Sequence, residues 1–194
     1  MAKLPELYLA TDVEADGPIP GPYSMISLGM AVVGRPELTF YTEIRPISGE
    51  FVPEALAVSG LDRDRLLREA PPAAEAMAAC ARWINGLRPI GRPVFLAGPA
   101  VFDGMFVHWY FQRFLGKSPF SNSGAGIDLR SYYMGQTGGD WSNSRKSDIK
   151  RTLGLTGLPH THHAGEDAAE LAQVFQAVLD ARDDPRPGPD RDEA

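Results

Sequence analysis

The chain has 194 residues, enough for one domain with a substantial core, and its 43% hydrophobic and 23% charged content excludes a disordered or fibrous protein. The lone Cys80 excludes an internal disulfide framework; with no apolar run near the roughly 18 residues that span a bilayer and no signal-peptide layout, the expected location is cytoplasmic, with no membrane partner. The net charge of −6 argues against gripping nucleic acid by bulk electrostatics, yet residues 105–151 carry seven Lys or Arg against three Asp, a net +4 that can hold a polyanion locally.

An apolar run at 7–11 predicts a buried strand that leads straight into Asp12-Val13-Glu14. Residues i and i+2 of a strand share a face, so Asp12 and Glu14 project together. Adjacent carboxylates repel, and neither gains from burial unless a cation or a shared proton compensates. Taken alone, the pair also fits a strand running out into a solvated turn, because Asp16, Gly17, Pro18 and Pro20 follow. Residues 17–22 are too rich in Pro and Gly for ladder or helix. Runs at 25–33 and 38–44 flank Gly34-Arg35-Pro36, which predicts a three-stranded antiparallel meander with the first strand.

A short helix is expected at 53–58, with Pro53 in its first turn and Gly60 closing it. Residues 61–70 are short and charged. Residues 73–87 form a stronger helix, with Met77, Cys80 or Ala81, Ile84 and Leu87 at helical spacing. A second apolar strand at 93–97 precedes a helix at 102–115 stopped by Gly116. Loops at 118–126 and 135–147 surround 127–133, which reads as a short strand or a helix start. Ser147 is expected to cap a helix at 147–153 that Gly154 stops, and the last helix runs from about 164 to 181. The whole predicts one α/β layered domain, residues 1–181, with a mixed sheet, and a disordered acidic, proline-containing tail at 182–194.

In the last helix Leu171, Val174 and Val178 form the apolar stripe, and Asp167 falls on it. Glu166, Glu170 and Gln173 are assigned to an adjacent, more solvated face. Asp103 likewise stands one turn before Phe106 on the stripe Phe106, Tyr110, Phe114. Each aspartate alone fits a helix-start acid favoured by the dipole. Together with Asp12 and Glu14 they make four carboxylates from separate elements, a ligand set for hard cations such as Mg²⁺ or Mn²⁺. Two such ions stabilise the attacking and leaving oxygens of a phosphoryl displacement. His162, five residues before Asp167, is positioned to take a proton from water, its ordinary pKa lying near neutrality. His160, His162 and His163 lack a cysteine cluster that would favour zinc, and His160 and His163 read as solvated loop residues.

Asp12-x-Glu14, Asp103 after an apolar strand and short loop, and His162-x-Ala164-x-x-Asp167 resemble, in order and spacing, the three exonuclease motifs of the DnaQ-like DEDDh 3′–5′ exonucleases, over about residues 7–179. The resemblance implies a ribonuclease H-like three-layer fold, its mixed central sheet (antiparallel meander plus parallel strands) flanked by helices. It implies hydrolysis of the 3′-terminal phosphodiester of single-stranded DNA or RNA, with release of nucleoside monophosphates. Asp12, Glu14, Asp103 and Asp167 would then hold two Mg²⁺ or Mn²⁺ ions: one between Asp12, Glu14 and Asp167, the other mainly on Asp12 with Asp103 in support. His162 would be the general base, and a homodimer is an assembly the family often adopts. Two departures stand out. Ala97-Gly98-Pro99-Ala100 precedes Asp103 where relatives often carry His-Asn, and Ala15-Asp16-Gly17 follows Glu14 where Thr and then Gly are usual.

Trp141, Tyr132 and Tyr133 lie among Arg130, Arg145, Lys146, Lys150 and Arg151, a mixture that can stack bases and hold phosphates. The tyrosines fit a core equally well. Trp141, flanked by Gly138, Gly139, Asp140 and Ser142, reads as exposed. The expected substrate contacts are Trp141, Arg145 and Lys150, with Ala15, Asp16 and Met25 packing on the terminal nucleotide. An oligoribonuclease, a polymerase-partner or nucleic-acid-end binding module, and a phosphatase acting on small substrates remain open alternatives.

Overall fold

The computed structural model describes residues 4–120 and 124–183. The tail expected at 182–194 lies outside them from residue 184 onward. Among the described residues five strands form one sheet: β1 (Glu6–Ala15), β2 (Met25–Val32), β3 (Arg35–Glu43), β4 (Arg92–Ala97) and β5 (Ile127–Asp128), in the order β3-β2-β1-β4-β5. β1 pairs antiparallel with β2, and β2 with β3, while β4 runs parallel to both β1 and β5. This is the mixed sheet expected. The first strand does not stop before the acidic pair but carries Asp12 and Glu14 within its ladder.

The described residues form seven α-helices, in chain order α1 (Pro53–Ser59), α2 (Arg63–Glu69), α3 (Ala73–Gly86), α4 (Ala100–Leu115), α5 (Leu129–Thr137), α6 (Lys146–Thr152) and α7 (Ala164–Asp183). The pleat divides β1 between two cores. Leu7, Leu9 and Val13 join Met77, Ile84, Phe106 and Tyr110 beneath α3 and α4. Ala10, on the opposite face, joins Leu171, Val174, Phe175 and Val178 of α7. Asp12 and Glu14 continue that second face, so β1 points them toward the helix that carries Asp167.

Three expectations need correction. Residues 61–70 are not merely a charged connection: Asp62 accepts from the Arg65 amide at 3.0 Å and caps α2, whose Leu66 is fully buried against Ile26. A single anchor and a cap make no periodic stripe, so the pattern was hidden. The region 127–133 is both alternatives in succession, two residues of β5 and then α5, and the polar loop begins only after Gly138. α6 starts one residue early, at Lys146, so Ser147 is not its cap; Arg145 takes that position without a side-chain bond. Among the described residues no helix is long and apolar enough to cross a membrane.

Candidate active site

The site forms at the carboxyl ends of β1 and β4, where α4 and α7 begin. Asp12 and Glu14 leave β1 on the α7 side, and Asp167 enters from the first turn of α7. One carboxylate oxygen from each lies within 4.8 Å of the other two. Asp167 is 1% exposed and Glu14 9%. Asp103, 4% exposed, stands behind β1 and accepts from the Val13 amide at 3.1 Å, tying the start of α4 to the peptide between the two strand acids. The Gly98–Pro99 peptide immediately before α4 is cis.

Crowding acids out of water disfavours their charged forms. Burial, then the Asp167 charge, push Asp12 up to about 7, with Lys146 pulling the other way and Glu170 adding a smaller push. Burial, then Asp12 and Asp167, push Glu14 up to about 8. Burial and the Asp12 charge hold Asp103 well above the usual carboxylate range, although the Val13 amide opposes them. Asp12, Glu14 and Asp167 offer three all-oxygen donors at chelating separation, and a hard divalent cation would relieve the burial and mutual repulsion that raise Asp12 and Glu14.

Asp167 also organises the loop before its own helix. Its Oδ1 accepts from the Thr161 amide and its Oδ2 from the His162 amide, both at 2.9 Å. His162 adopts φ 57°, a left-handed conformation that non-glycine residues rarely take. Its imidazole is solvent-exposed, and a ring nitrogen lies within 4.8 Å of an Asp167 carboxylate oxygen. The other two histidines lie in the loop before α7, His160 exposed as expected and His163 half-buried, and both have partners. His160 Nδ1 is 3.0 Å from Asp167 Oδ2, while His163 stacks on Tyr41 and accepts the Glu166 amide, capping α7.

The expected substrate contacts divide. Ala15 lines a cavity of about 450 Å³ beside Glu14, together with Val13, Val52, Val58 and Phe102. Trp141 is 56% exposed, with the Arg130 guanidinium 3.5 Å over its ring, and Arg145 is exposed near it in sequence. Asp16 and Met25 are corrections. Asp16 is fully buried, accepts from the Ser24 amide and pairs with Arg63, because a charge turned inward needs a cation. Met25 is also fully buried, its amide bonded to the Tyr110 hydroxyl at 2.8 Å. Lys150 is a third correction: Glu170 and the Leu158 carbonyl occupy its ammonium. Glu170 itself, assigned to a solvated face, is 3% exposed and bridges Lys146 and Lys150. The available signal was the i, i+4 spacing of those lysines on one face of α6.

No family model matches the chain. A curated relative, the 3′-5′ DNA exonuclease Cap18 of Escherichia coli, is 34% identical over 177 residues, covering 89% of this chain and 91% of that protein. Among solved structures, the nuclease domain of 3′hExo, a DEDDh family member bound to rAMP, aligns with a TM-score of 0.72 at 14% identity over 90% of this chain and 92% of that one. A 3′-exonuclease in a structure of histone mRNA stem-loop recognition aligns at 0.71 and 15% identity over 93% of this chain, which spans 65% of that chain's length. The chain therefore belongs to the DnaQ-like DEDDh 3′–5′ exonucleases, divalent-metal enzymes of ribonuclease H-like fold.

Proposed function

We propose that this 3′–5′ exonuclease shortens single-stranded DNA from its 3′ end, with Asp12, Glu14 and Asp167, supported by Asp103, holding two Mg²⁺ or Mn²⁺ ions, and His162 as general base. The observation that carries this reading is the convergence of Asp12, Glu14 and Asp167, whose carboxylate oxygens lie within 4.8 Å of one another. When bound, the ions supply charge neutralisation for the attacking and leaving oxygens. The residues do the rest. His162, on its exposed loop, accepts the proton of the attacking water. The water oxygen joins phosphorus as the bond to O3′ breaks, and the departing O3′ takes a proton from solvent, leaving a 3′-hydroxyl on the shortened strand and a nucleoside 5′-monophosphate. The cavity beside Glu14 and Ala15 suits the apolar body of the terminal nucleotide, while Trp141 and Arg145 would meet the strand behind it.

DNA is preferred because the curated relative, matched across nine-tenths of both chains, is named a DNA exonuclease. RNA is the second reading, favoured by the structural neighbours whose descriptions include rAMP and histone mRNA. The test is a time course on 3′- and 5′-labelled DNA and RNA oligonucleotides with Mg²⁺, Mn²⁺ or EDTA. Stepwise loss from the 3′ end, abolished by EDTA and by Asp167→Asn, and faster on DNA, is expected. Internal cleavage, or turnover that survives Asp167→Asn, would overturn the reading; faster loss from RNA would reassign the substrate.

A further inference from the structure

We infer that Glu170 is a positioning residue for the hydrolytic step, acting through Lys150 to set the loop that carries His162. The inference rests on the reading of His162 as general base.

Glu170 lies one turn beyond Asp167 on α7 and faces the α6 side, where two lysines four residues apart meet it. Lys146 Nζ donates to Oε2 at 2.6 Å, and Lys150 Nζ donates to Oε1. The Lys150 ammonium has three hydrogens, and it spends another on the Leu158 carbonyl at 2.5 Å. Leu158 opens the stretch Leu158-Pro159-His160-Thr161-His162. The far end of that stretch is held by Asp167, through the Thr161 and His162 amides. Between them, His160 Nδ1 lies 3.4 Å from Glu170 Oε2. Two acids on one helix thus secure both ends of a five-residue segment, Asp167 directly and Glu170 through Lys150.

Neither helix needs this charge in order to dock. Ile149 of α6 and Leu171, Val174, Phe175 and Val178 of α7 are already buried in one apolar cluster. A buried ion pair is a poor source of stability compared with such packing, so the arrangement invites a reason beyond cohesion. The reason is at its end: His162 at φ 57° holds a conformation that persists only where its surroundings over-determine it. Releasing the Leu158 anchor lets the segment relax and the imidazole drift. A displacement of about 1 Å at a reacting group is enough to cost on the order of 100-fold in rate.

The test compares wild type with Glu170→Gln, Lys150→Met, His162→Ala, and the doubles that combine His162→Ala with either clamp substitution, on a 3′-labelled oligonucleotide. Each clamp variant should lose on the order of 10- to 100-fold in kcat, with KM held within about twofold. Each double should be no slower than His162→Ala alone, since a loop without its base has nothing left to position. If Glu170→Gln fails to fold, Lys150→Met and its double carry the experiment. Wild-type kcat in the clamp variants, or losses that multiply in the doubles, would overturn the proposal while leaving the base assignment intact. A His162→Ala protein as fast as wild type would overturn the base assignment and the clamp's role with it.

Discussion

The α-carbon of Gly29 lies so close beneath Ala164 that a Cβ built on it would stand 2.0 Å from the Ala164 carbonyl oxygen. Gly29 is the register partner of Asp12 across the β1–β2 ladder, and Ala164 is the first residue of α7. The helix bearing Asp167 can therefore descend onto the strand opposite Asp12 because no side chain separates them. Backbone cannot yield as a flexible side chain would. Gly29→Ala should cost about 1–3 kcal/mol by overpacking and lower kcat beyond what the unfolded fraction explains. Thermal melts and kinetics on the purified variant check both. A stable, fully active variant would show that α7 can lift without moving Asp167.

Asp103 has two separable roles, as acceptor for the Val13 amide and as a carboxylate. Asparagine keeps an acceptor oxygen but loses the charge that burial disfavours. In EDTA, Asp103→Asn should melt no lower than wild type, yet lose roughly 100-fold or more in turnover at saturating metal. Asp103→Leu also strands a buried amide and should destabilise by about 1–3 kcal/mol. Equal melting of the two variants would remove the Val13 bond from the account.

What the sequence revealed was what periodicity governs. A period of two set Asp12 and Glu14 on the face of Ala10, and the 3.6-residue stripe turned Asp167 inward with Leu171. Glu170 shows where that reasoning ends. It lies about 60° from Asp167 on the helical wheel, at the edge of the apolar stripe, where its charge assigns it to the solvated side. Its burial was decided by Lys146 and Lys150 on another helix. Asp16 and Met25 follow the same logic. Following the acidic motif along the chain made them look like substrate contacts, but Arg63 and Tyr110, distant in sequence, supply the partners that draw them inside.

Asp16 is accordingly a stability residue. Its side chain is fully buried and its oxygens serve the Ser24 amide and Arg63 Nε, the latter at 3.1 Å. Arg63 in turn reaches the Ser48 carbonyl at 2.5 Å. Asp16→Ala leaves a largely buried guanidinium without its acid and should cost about 3–5 kcal/mol. The surviving folded protein should bind oligonucleotide with unchanged KM. Normal melting combined with a raised KM would return Asp16 to the substrate.

Trp141 makes the opposite forecast. The Arg130 guanidinium covers one face of the indole and Nη2 donates to the Trp141 carbonyl at 2.6 Å, so an exposed ring is held in place. A fixed aromatic beside basic groups stacks a base for about 1–3 kcal/mol. Trp141→Ala should raise KM for long oligonucleotides roughly 5- to 100-fold, leave kcat near wild type, and spare dinucleotides. An effect independent of substrate length would sink the stacking role.

The acidity of the site ties metal binding to pH. Asp12 rises from an ordinary 3.8 to about 7 and Glu14 from 4.5 to about 8, both chiefly through burial. Raised folded-state values mean that the folded protein binds more protons than the unfolded chain between those limits. The metal-free fold therefore loses stability as pH climbs from about 4 through about 8. A divalent cation binds the deprotonated carboxylates and displaces those protons, so its affinity should rise over the same interval. Melting in EDTA should fall between pH 6 and pH 8.5, and the gain on adding Mg²⁺ or Mn²⁺ should grow. Other groups also titrate, which makes Asp12→Asn with Glu14→Gln the deciding control. That variant should melt with a flatter pH profile in EDTA and gain little from either ion. An unchanged profile would mean that the two carboxylates do not hold protons in the free site.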